Sequence, residues 1–218
     1  MRIAALSDLH GQLPSIPPCD LLLIAGDLCP LSDHGGDAQR AFLEGPFSAW
    51  LARAPARAIA GIAGNHDLIA EREPALLAGL PWSYLCDSEA DLVGLRIWGS
   101  PFAVTYGEWA FMESDDELER RFAAIPVGLD VLLVHGPPHG ILDHALRGVD
   151  TGSRALRRAI VRARPSLAIF GHIHEGRGEV RLGSTRCLSV SLVDARYVPR
   201  HAPVELELAP RPRSRLTS

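Results

Sequence analysis

The 218-residue sequence contains no lysine, so all 22 of its basic residues are arginine. Without lysine, the chain cannot form a Schiff base with a carbonyl substrate. It also cannot contain the phosphate-binding loop that ends in Gly-Lys-Ser or Gly-Lys-Thr. The formal net charge of −4 gives no overall positive field. We therefore expect no tight binding to long nucleic acids.

Cysteine is also sparse, and the four cysteines form no Cys-x-x-Cys pair. Their scatter argues against a zinc knuckle and against a disulfide scaffold. No apolar run approaches the roughly 18 residues needed to cross a membrane, and the run after Met1 is too short for a signal peptide. We predict a cytoplasmic protein with reduced thiols and no membrane partner.

With 47% apolar and 22% charged residues, the composition is typical of a globular chain. We find no internal repeat and no linker that would separate two domains. The sequence therefore predicts a single domain over residues 1–208. Residues 209–218 are rich in proline and arginine, and we predict a disordered tail there.

Five short apolar runs without period-2 alternation predict strands buried on both faces. They cover residues 3–6, 21–25, 58–63, 131–134 and 167–170. Helical patterns cover residues 37–54, 67–78, 115–124 and 151–163, with breaks expected at Gly45-Pro46 and Pro74 and an N-cap at Ser114. Shorter strands are predicted at 92–99, 179–182, 186–191 and 204–208, and turns between the last three favour antiparallel pairing. The alternation predicts an α/β sheet.

Each of the five buried runs is followed at once by polar side chains. These are Asp8 with His10, Asp27, Asn65 with His66 and Asp67, His135, and His172 with His174. The carboxyl ends of strands in an open α/β sheet meet at one crevice, so these groups should converge. Singly, each could be a turn residue or a helix cap, but five such coincidences are improbable. The remaining histidines, at 34, 139, 144 and 201, are expected at the surface, although Gly136-Pro137-Pro138 could bring His139 near the crevice.

The donor set has carboxylate, imidazole and amide groups but no thiolate, which suits Mn, Fe, Zn or Co. It contains too many donors for one ion. Two divalent metal ions sharing a bridging carboxylate, about 3.5–4 Å apart, would use them, and such pairs catalyse phosphoryl hydrolysis.

These motifs, in this order, resemble the calcineurin-like metallophosphoesterase superfamily. Further stretches resemble its branch of small class III phosphodiesterases and metallophosphoesterase-domain-containing brain proteins, so that the resemblance covers roughly residues 1–208. They are Ile97–Phe102, Trp109–Phe111, His135–Pro138, Phe170–Gly176 and Tyr197–Pro199. Two departures, at Ser189–Ser191 and at Gly152-Ser153, concern the substrate pocket.

The resemblance implies a four-layer α/β/β/α sandwich with two mixed sheets. It implies that one metal is held by Asp8, His10, Asp27 and His174, and the other by Asp27, Asn65, His135 and His172. It also implies that His66 contacts the phosphate and assists the leaving oxygen, and that Asp67 orients His66.

The function implied is hydrolysis of small phosphodiesters, such as cyclic nucleotides or aryl diesters, by a metal-activated hydroxide. The partner would be a small phosphoester, nucleotides included, while the oligomeric state stays open. The alternatives are a phosphomonoesterase or phosphoprotein phosphatase of the same fold, and a binding protein without catalysis.

Overall fold

A computed structural model describes residues 1–31, 36–145, 148 and 150–211. Among these residues the strands are β1 (Arg2–Leu6), β2 (Cys19–Ala25), β3 (Ala56–Ile62), β4 (Ser83–Tyr84), β5 (Ser88–Leu92), β6 (Leu95–Ser100), β7 (Ala103–Val104), β8 (Met112–Glu113), β9 (Val131–Val134), β10 (Leu167–Phe170), β11 (Gly178–Leu182), β12 (Thr185–Ser189) and β13 (Val204–Glu207). The α-helices are α1 (Gly36–Phe42), α2 (Ser48–Arg53), α3 (Leu68–Arg72), α4 (Pro74–Ala78), α5 (Asp115–Phe122) and α6 (Arg154–Ala163).

Two mixed sheets contain the longer strands. The first has the order β13-β1-β2-β3-β4, in which β1 to β4 are parallel and β13 is antiparallel to β1. The second has the order β11-β12-β10-β9-β6-β5, with four parallel central strands and an antiparallel strand at each edge. The predicted buried strands all lie in the centres of these sheets.

Three apolar clusters show how the layers stack. One lies between the sheets and joins β1, β2 and β3 to β9 and β10. A second fills the space between the first sheet and the helices α2 to α4, and a third lies between the second sheet and helices α5 and α6. The protein is thus a four-layer α/β/β/α sandwich, as the resemblance implied.

Proline and capping residues set the helix limits as predicted. The region of Gly45-Pro46 forms a π-helical turn, Leu43–Phe47, between α1 and α2. Pro74 begins α4 as its first residue, where its missing N–H costs no hydrogen bond. Ser114 caps α5 in a capping box with Glu117.

Three predictions of secondary structure were right only in part. The single strand expected at residues 92–99 is a hairpin, because Val93 and Gly94 have φ angles of 46° and 83° and reverse the chain. The helix expected from Thr151 begins at Arg154, since Ser153 is its N-cap. The last three strands do not form one antiparallel group: β11 and β12 pair with each other, whereas β13 crosses to β1 of the other sheet.

The chain end beyond β13 returns to the second sheet. The backbone N–H of Arg211 donates to Asp130 Oδ1 at 2.8 Å, and its Nε donates to the Ser166 hydroxyl at 2.8 Å. The rest of the predicted tail, residues 212–218, lies outside the described residues. Over the described part of the chain, no helix is long and apolar enough to span a membrane. The four cysteines are free thiols.

Candidate metal centre

Several strands are followed by residues whose backbone lies in the left-handed region of φ/ψ space. Asp8, His10, Asp27 and His172 have φ angles of 54°, 43°, 54° and 67°. Residues other than glycine rarely adopt this backbone conformation, and residues that do so are found mainly at functional sites. Here it turns polar side chains back toward the space beyond the strand ends.

One group of donors joins Asp8, His10 and His174, all buried. The Nε2 atoms of His10 and His174 lie 3.4 Å apart, and His174 Nε2 is 3.6 Å from Asp8 Oδ1. The orientation of two of these donor side chains is fixed by further hydrogen bonds. The Ser7 hydroxyl donates to Asp8 Oδ2 at 2.6 Å, and His174 Nδ1 lies 3.2 Å from the backbone oxygen of Asp194.

A second group lies around His135. Asp8, Asp27 and His135 form a buried cluster, in which His135 Nε2 is 3.4 Å from Asp27 Oδ1. The Asn65 Oδ1 atom lies 2.9 Å from His135 Nε2 and 2.8 Å from His172 Nδ1. Because Asn65 Oδ1 faces both imidazoles, all four predicted ligands of the second metal come together.

Asp27 lies between the two groups. Its Oδ1 faces His135, and its Oδ2 is 3.7 Å from His10 Nε2. Ligands bound about 2.0–2.2 Å from one ion are separated from each other by roughly 3–4 Å. The donor separations therefore fit divalent ions. The seven predicted ligands are brought together, and their roles as ligands stay predictions.

Electrostatics keep the carboxylates of this centre ionised. Burial alone would raise the pKa of Asp8, but the hydrogen bond and charge of His174 lower it well below its ordinary value. Burial would also raise the pKa of Asp27, but the charge and the hydrogen bond of His135 hold this pKa well below the usual range. The carboxylate of Asp27 in turn raises the pKa of His135 to about 9 against the effect of burial.

The pKa values of two other imidazoles are lowered instead. Burial lowers the pKa of His10 to about 4, and burial together with the charge of His135 lowers the pKa of His172 to about 4. Neutral imidazole is the form that binds a metal. The centre thus combines anionic carboxylates with neutral imidazoles at His10 and His172, whereas the raised pKa values of His135 and His174 favour their protonated forms.

The loop after β3 is held by the Asp67 carboxylate. This buried side chain accepts hydrogen bonds from the backbone N–H groups of Gly64, Leu28 and Cys29, at 2.7, 2.9 and 2.9 Å. Burial and the charge of Asp27 raise its pKa to about 6. The contacts of Asp67 support the loop that carries Asn65 and His66, and the expected orientation of the His66 ring by Asp67 stays a prediction.

Gly64 permits the close approach of that loop to the centre. A Cβ at this position would lie 2.3 Å from Asp27 Oδ1 and 2.7 Å from His135 Cε1. Such distances are far inside van der Waals contact, so only glycine fits here without moving the ligands.

His66 stands where the centre opens into a cleft of about 710 Å³. Its ring lies 4.4 Å from that of Trp109 and 5.0 Å from that of His10, measured between centroids. Tyr197 covers the other side, with its centroid 5.0 Å from His10 and 4.8 Å from His174. The family resemblance included the stretches that contain Trp109 and Tyr197 but gave neither residue a role, and their loops have no periodic pattern that would place them at the centre.

The other histidines have varied positions. His139 lines the same cleft, with Nδ1 3.6 Å from Asp143 Oδ2, so its nearness to the crevice is confirmed. His144 and His201 are exposed, as predicted. His34 lies outside the described residues.

The fold and the centre define a class of protein. Two mixed sheets that direct carboxylates, histidines and an amide from their strand ends into one buried centre are the framework of a metal-dependent hydrolase. The chain belongs to the calcineurin-like phosphoesterase family, whose sequence model matches residues 1–176. This family normally uses divalent metals, in agreement with the donor set.

Individual relatives support this assignment. The chain is 30% identical to the human and mouse "Metallophosphoesterase domain-containing protein 1" over 243 residues, which cover 98% of this chain and 72% of each relative. A UPF0046 protein of Caenorhabditis elegans is 28% identical over 95% of this chain and 81% of its own length. The crystal structure of TT1561 of Thermus thermophilus superposes with a TM-score of 0.57 at 17% identity, covering 86% of this chain and 88% of its own, and this likeness concerns the fold alone.

Proposed function

We propose that this protein is a phosphodiesterase that hydrolyses small phosphodiesters, such as cyclic nucleotides or aryl diesters, with two divalent metal ions. The observation that carries the proposal is the position of His66. Its imidazole lies beside His10 of the donor cluster and lines a cleft with room for a substrate. A base or acid at the edge of a metal centre, facing a cleft, is suited to hydrolysis.

The proposed ligands follow the two groups of donors. Asp8, His10, Asp27 and His174 would hold one ion, and Asp27, Asn65, His135 and His172 the other. Manganese is the first candidate, with iron, zinc and cobalt as alternatives. The ions would supply Lewis-acid stabilisation of the phosphoryl oxygens and an activated water as nucleophile.

His66 protonates or stabilises the departing oxygen. Its backbone N–H donates to Asp27 Oδ1 at 2.8 Å, which ties it to the bridging carboxylate. Gln39 donates to its carbonyl oxygen at 2.7 Å from the opposite side. Because the backbone N–H and C=O groups of His66 are both held, the imidazole is presented to the cleft in a defined place. Such positioning is what general acid catalysis requires.

The dimensions of the cleft favour a diester. A volume of about 710 Å³ falls in the range of sites for small organic ligands, roughly 300–1,000 Å³. It exceeds what a single phosphate group needs, and it leaves space for an organic substituent on either side of the phosphorus. Trp109, Tyr106 and Tyr197 line it and offer apolar surface to such groups.

The substrate is a small phosphoester, while long nucleic acids and membranes are not partners. The four free thiols support a cytoplasmic location.

The test uses protein stripped of metal by chelation and reloaded with Mn²⁺. Hydrolysis of bis-p-nitrophenyl phosphate is compared with that of p-nitrophenyl phosphate, and a panel of 2′,3′- and 3′,5′-cyclic nucleotides and phosphopeptides follows. We expect diester hydrolysis above the rate of the metal-free protein. A preference for the monoester or for phosphopeptides would identify a phosphatase instead, and no hydrolysis by fully loaded protein would leave a binding function.

A further inference from the structure

The cleft has a second polar wall, away from His66, at the beginning of α6. Arg154, the first residue of this helix, and His139 both line the cleft there. Thr151 and Ser153 share a small cavity with His172, so this wall adjoins the His172 side of the donor centre. A substrate whose phosphorus lies at the centre can therefore extend toward Arg154.

Arg154 differs from the other arginines of the same helix. Arg157 donates to the His139 carbonyl at 2.7 Å, Arg158 donates from Nε to Glu119 Oε2 at 2.9 Å, and Arg162 donates to the Phe122 carbonyl at 2.8 Å. The Arg154 guanidinium has no hydrogen bond or ion pair with any described residue. It is also exposed, so its donors are available to a ligand.

The position of Arg154 is unfavourable for the helix. Cations at the first turn oppose the helix dipole, and the one carboxylate at this end of α6, that of Asp115, accepts from Ala155 N–H at 3.2 Å and from the Ser153 hydroxyl at 2.6 Å rather than from Arg154. A residue whose position disfavours the local structure, and whose side chain makes no compensating contact there, is a candidate for a functional role. The five donors of a guanidinium match the oxygens of a phosphate or carboxylate.

Hydrogen bonds join the described residues on the two sides of this wall. His139 N–H donates to the carbonyl of Ser153 at 2.9 Å, so the residue that precedes Arg154 is joined to His139. The buried Asp143 carboxylate accepts from Gly140 N–H at 2.9 Å and from Gly152 N–H at 3.0 Å. One side chain thereby holds the backbone at both Gly140 and Gly152.

The acidic residues of the cleft do not neutralise Arg154. Asp150 Oδ1 lies 3.1 Å from His144 Nδ1. Glu175, on another part of the cleft, also interacts with a neighbouring group. Neither carboxylate forms an ion pair with Arg154 within the described residues, and an anionic ligand can take that place.

We propose that Arg154, with His139 beside it, forms a subsite for a second oxyanion carried by the substrate. The preferred substrate would then be a phosphodiester with an additional phosphate or carboxylate group. This inference rests on the proposed phosphodiesterase function and adds its specificity: Arg154 is a specificity-determining residue that selects the part of the substrate that is not cleaved.

The test compares two chromogenic probes with the same leaving group. They are the p-nitrophenyl ester of thymidine 5′-phosphate and the same ester with an additional 3′-phosphate. We expect Mn²⁺-loaded protein to prefer the 3′-phosphorylated probe, and Arg154→Gln to reduce this ratio of kcat/KM about tenfold, the loss expected for one charge-assisted contact. Arg158→Gln, one turn further along α6 and outside the cleft, should keep the wild-type ratio.

Binding provides a readout that does not require turnover. Isothermal titration calorimetry on the metal-loaded protein compares thymidine 3′,5′-bisphosphate with thymidine 5′-monophosphate. We expect Arg154→Gln to reduce the ratio of the affinities for the bisphosphate and the monophosphate by the same factor. A melting temperature at or above that of the wild type would show that the fold of the variant is intact. A probe with a 3′-succinyl group shows whether the subsite also binds a carboxylate. A preference for either anion over the uncharged 3′ end supports the subsite.

Two results would overturn the subsite. In one, Arg154→Gln keeps the wild-type ratio in both kinetics and binding. In the other, Arg154→Gln lowers kcat/KM by the same factor for both chromogenic probes and weakens the binding of both nucleotides equally. That result would place Arg154 at the phosphate being cleaved. If neither probe is hydrolysed by loaded wild-type protein, the phosphodiesterase proposal is wrong, and the calorimetric ratio still decides the subsite.

Discussion

His10 and His174 are 164 positions apart in the sequence, yet their Nε2 atoms lie 3.4 Å from each other. His10 follows β1 of the first sheet, and His174 follows β10 of the second. The donor cluster therefore spans the two sheets and forms only when they pack together. Two buried imidazole nitrogens directed at the same space beside Asp8 are a favourable place for a divalent cation and an unfavourable one without it.

His66→Ala should separate catalysis from metal binding. The variant loses the group proposed to assist the leaving oxygen, so kcat on bis-p-nitrophenyl phosphate should fall by roughly 10²–10⁴-fold. Its metal content should stay at the wild-type level, because His66 is not among the proposed ligands. His201→Ala, an exposed histidine outside the cleft, serves as the control. An unchanged kcat in His66→Ala would remove His66 from the mechanism.

Gly64→Ala should disrupt the centre while leaving the rest of the fold in place. The added Cβ would lie 2.3 Å from Asp27 Oδ1, so the proposed bridging carboxylate or the loop must move. We expect weaker Mn²⁺ binding by calorimetry and a loss of activity, with an unchanged circular dichroism spectrum. Gly45→Ala is the matched control, since no atom lies within 4 Å of its Cβ. Wild-type Mn²⁺ affinity in Gly64→Ala would contradict the close packing described.

Asp67→Ala should reduce stability even without metal. Three backbone N–H groups, of Gly64, Leu28 and Cys29, would lose their acceptor in a buried place. Each unsatisfied group costs about 1–3 kcal/mol, and water that enters the space will offset part of this, so we expect a loss on the order of 3 kcal/mol. Urea denaturation of the metal-free protein measures the change, with Asp116→Ala, at an exposed position of α5, as a control. Equal stability of Asp67→Ala and wild type would show that these bonds do not fix the loop.

Trp109→Ala should affect substrate binding more than turnover. The Trp109 ring packs 4.4 Å from His66 and forms part of the cleft. We expect KM for an aryl diester to rise about three- to tenfold, the size of an aromatic contact. Trp109→Phe should recover most of the loss because it keeps an aromatic ring. A fall in kcat with no change in KM would instead mean that Trp109 acts by orienting His66.

Much of the fold and of the centre could be predicted because both depend on local patterns. Each buried strand is a short apolar run, and the polar residue at its end, such as Asp27 after β2, is at the sheet edge by geometry alone. Asn65 was selected in the same way, because it follows the apolar run that forms β3. Parallel strands place all such ends on one side, so the convergence of the donors followed from the order of elements.

Other features had no local signal. The pairing of β13 with β1 joins the two ends of the chain, and nothing in the sequence of Val204–Glu207 distinguishes it from pairing with β12. The hairpin turn at Val93-Gly94 places a β-branched residue at positive φ, which its sequence argues against. Trp109 and Tyr197 reach the centre from loops, so only the tertiary structure shows that they cover His66 and His10.

We propose that the centre holds two divalent ions that share Asp27 as a ligand, and a count of the metal ions bound per chain checks this proposal. The chelated protein is reloaded with Mn²⁺, desalted and analysed by plasma mass spectrometry. We predict two ions per chain in the wild type and one in Asn65→Ala, which loses a proposed ligand of only one ion. One ion or none in the wild type, or two in Asn65→Ala, would contradict the account.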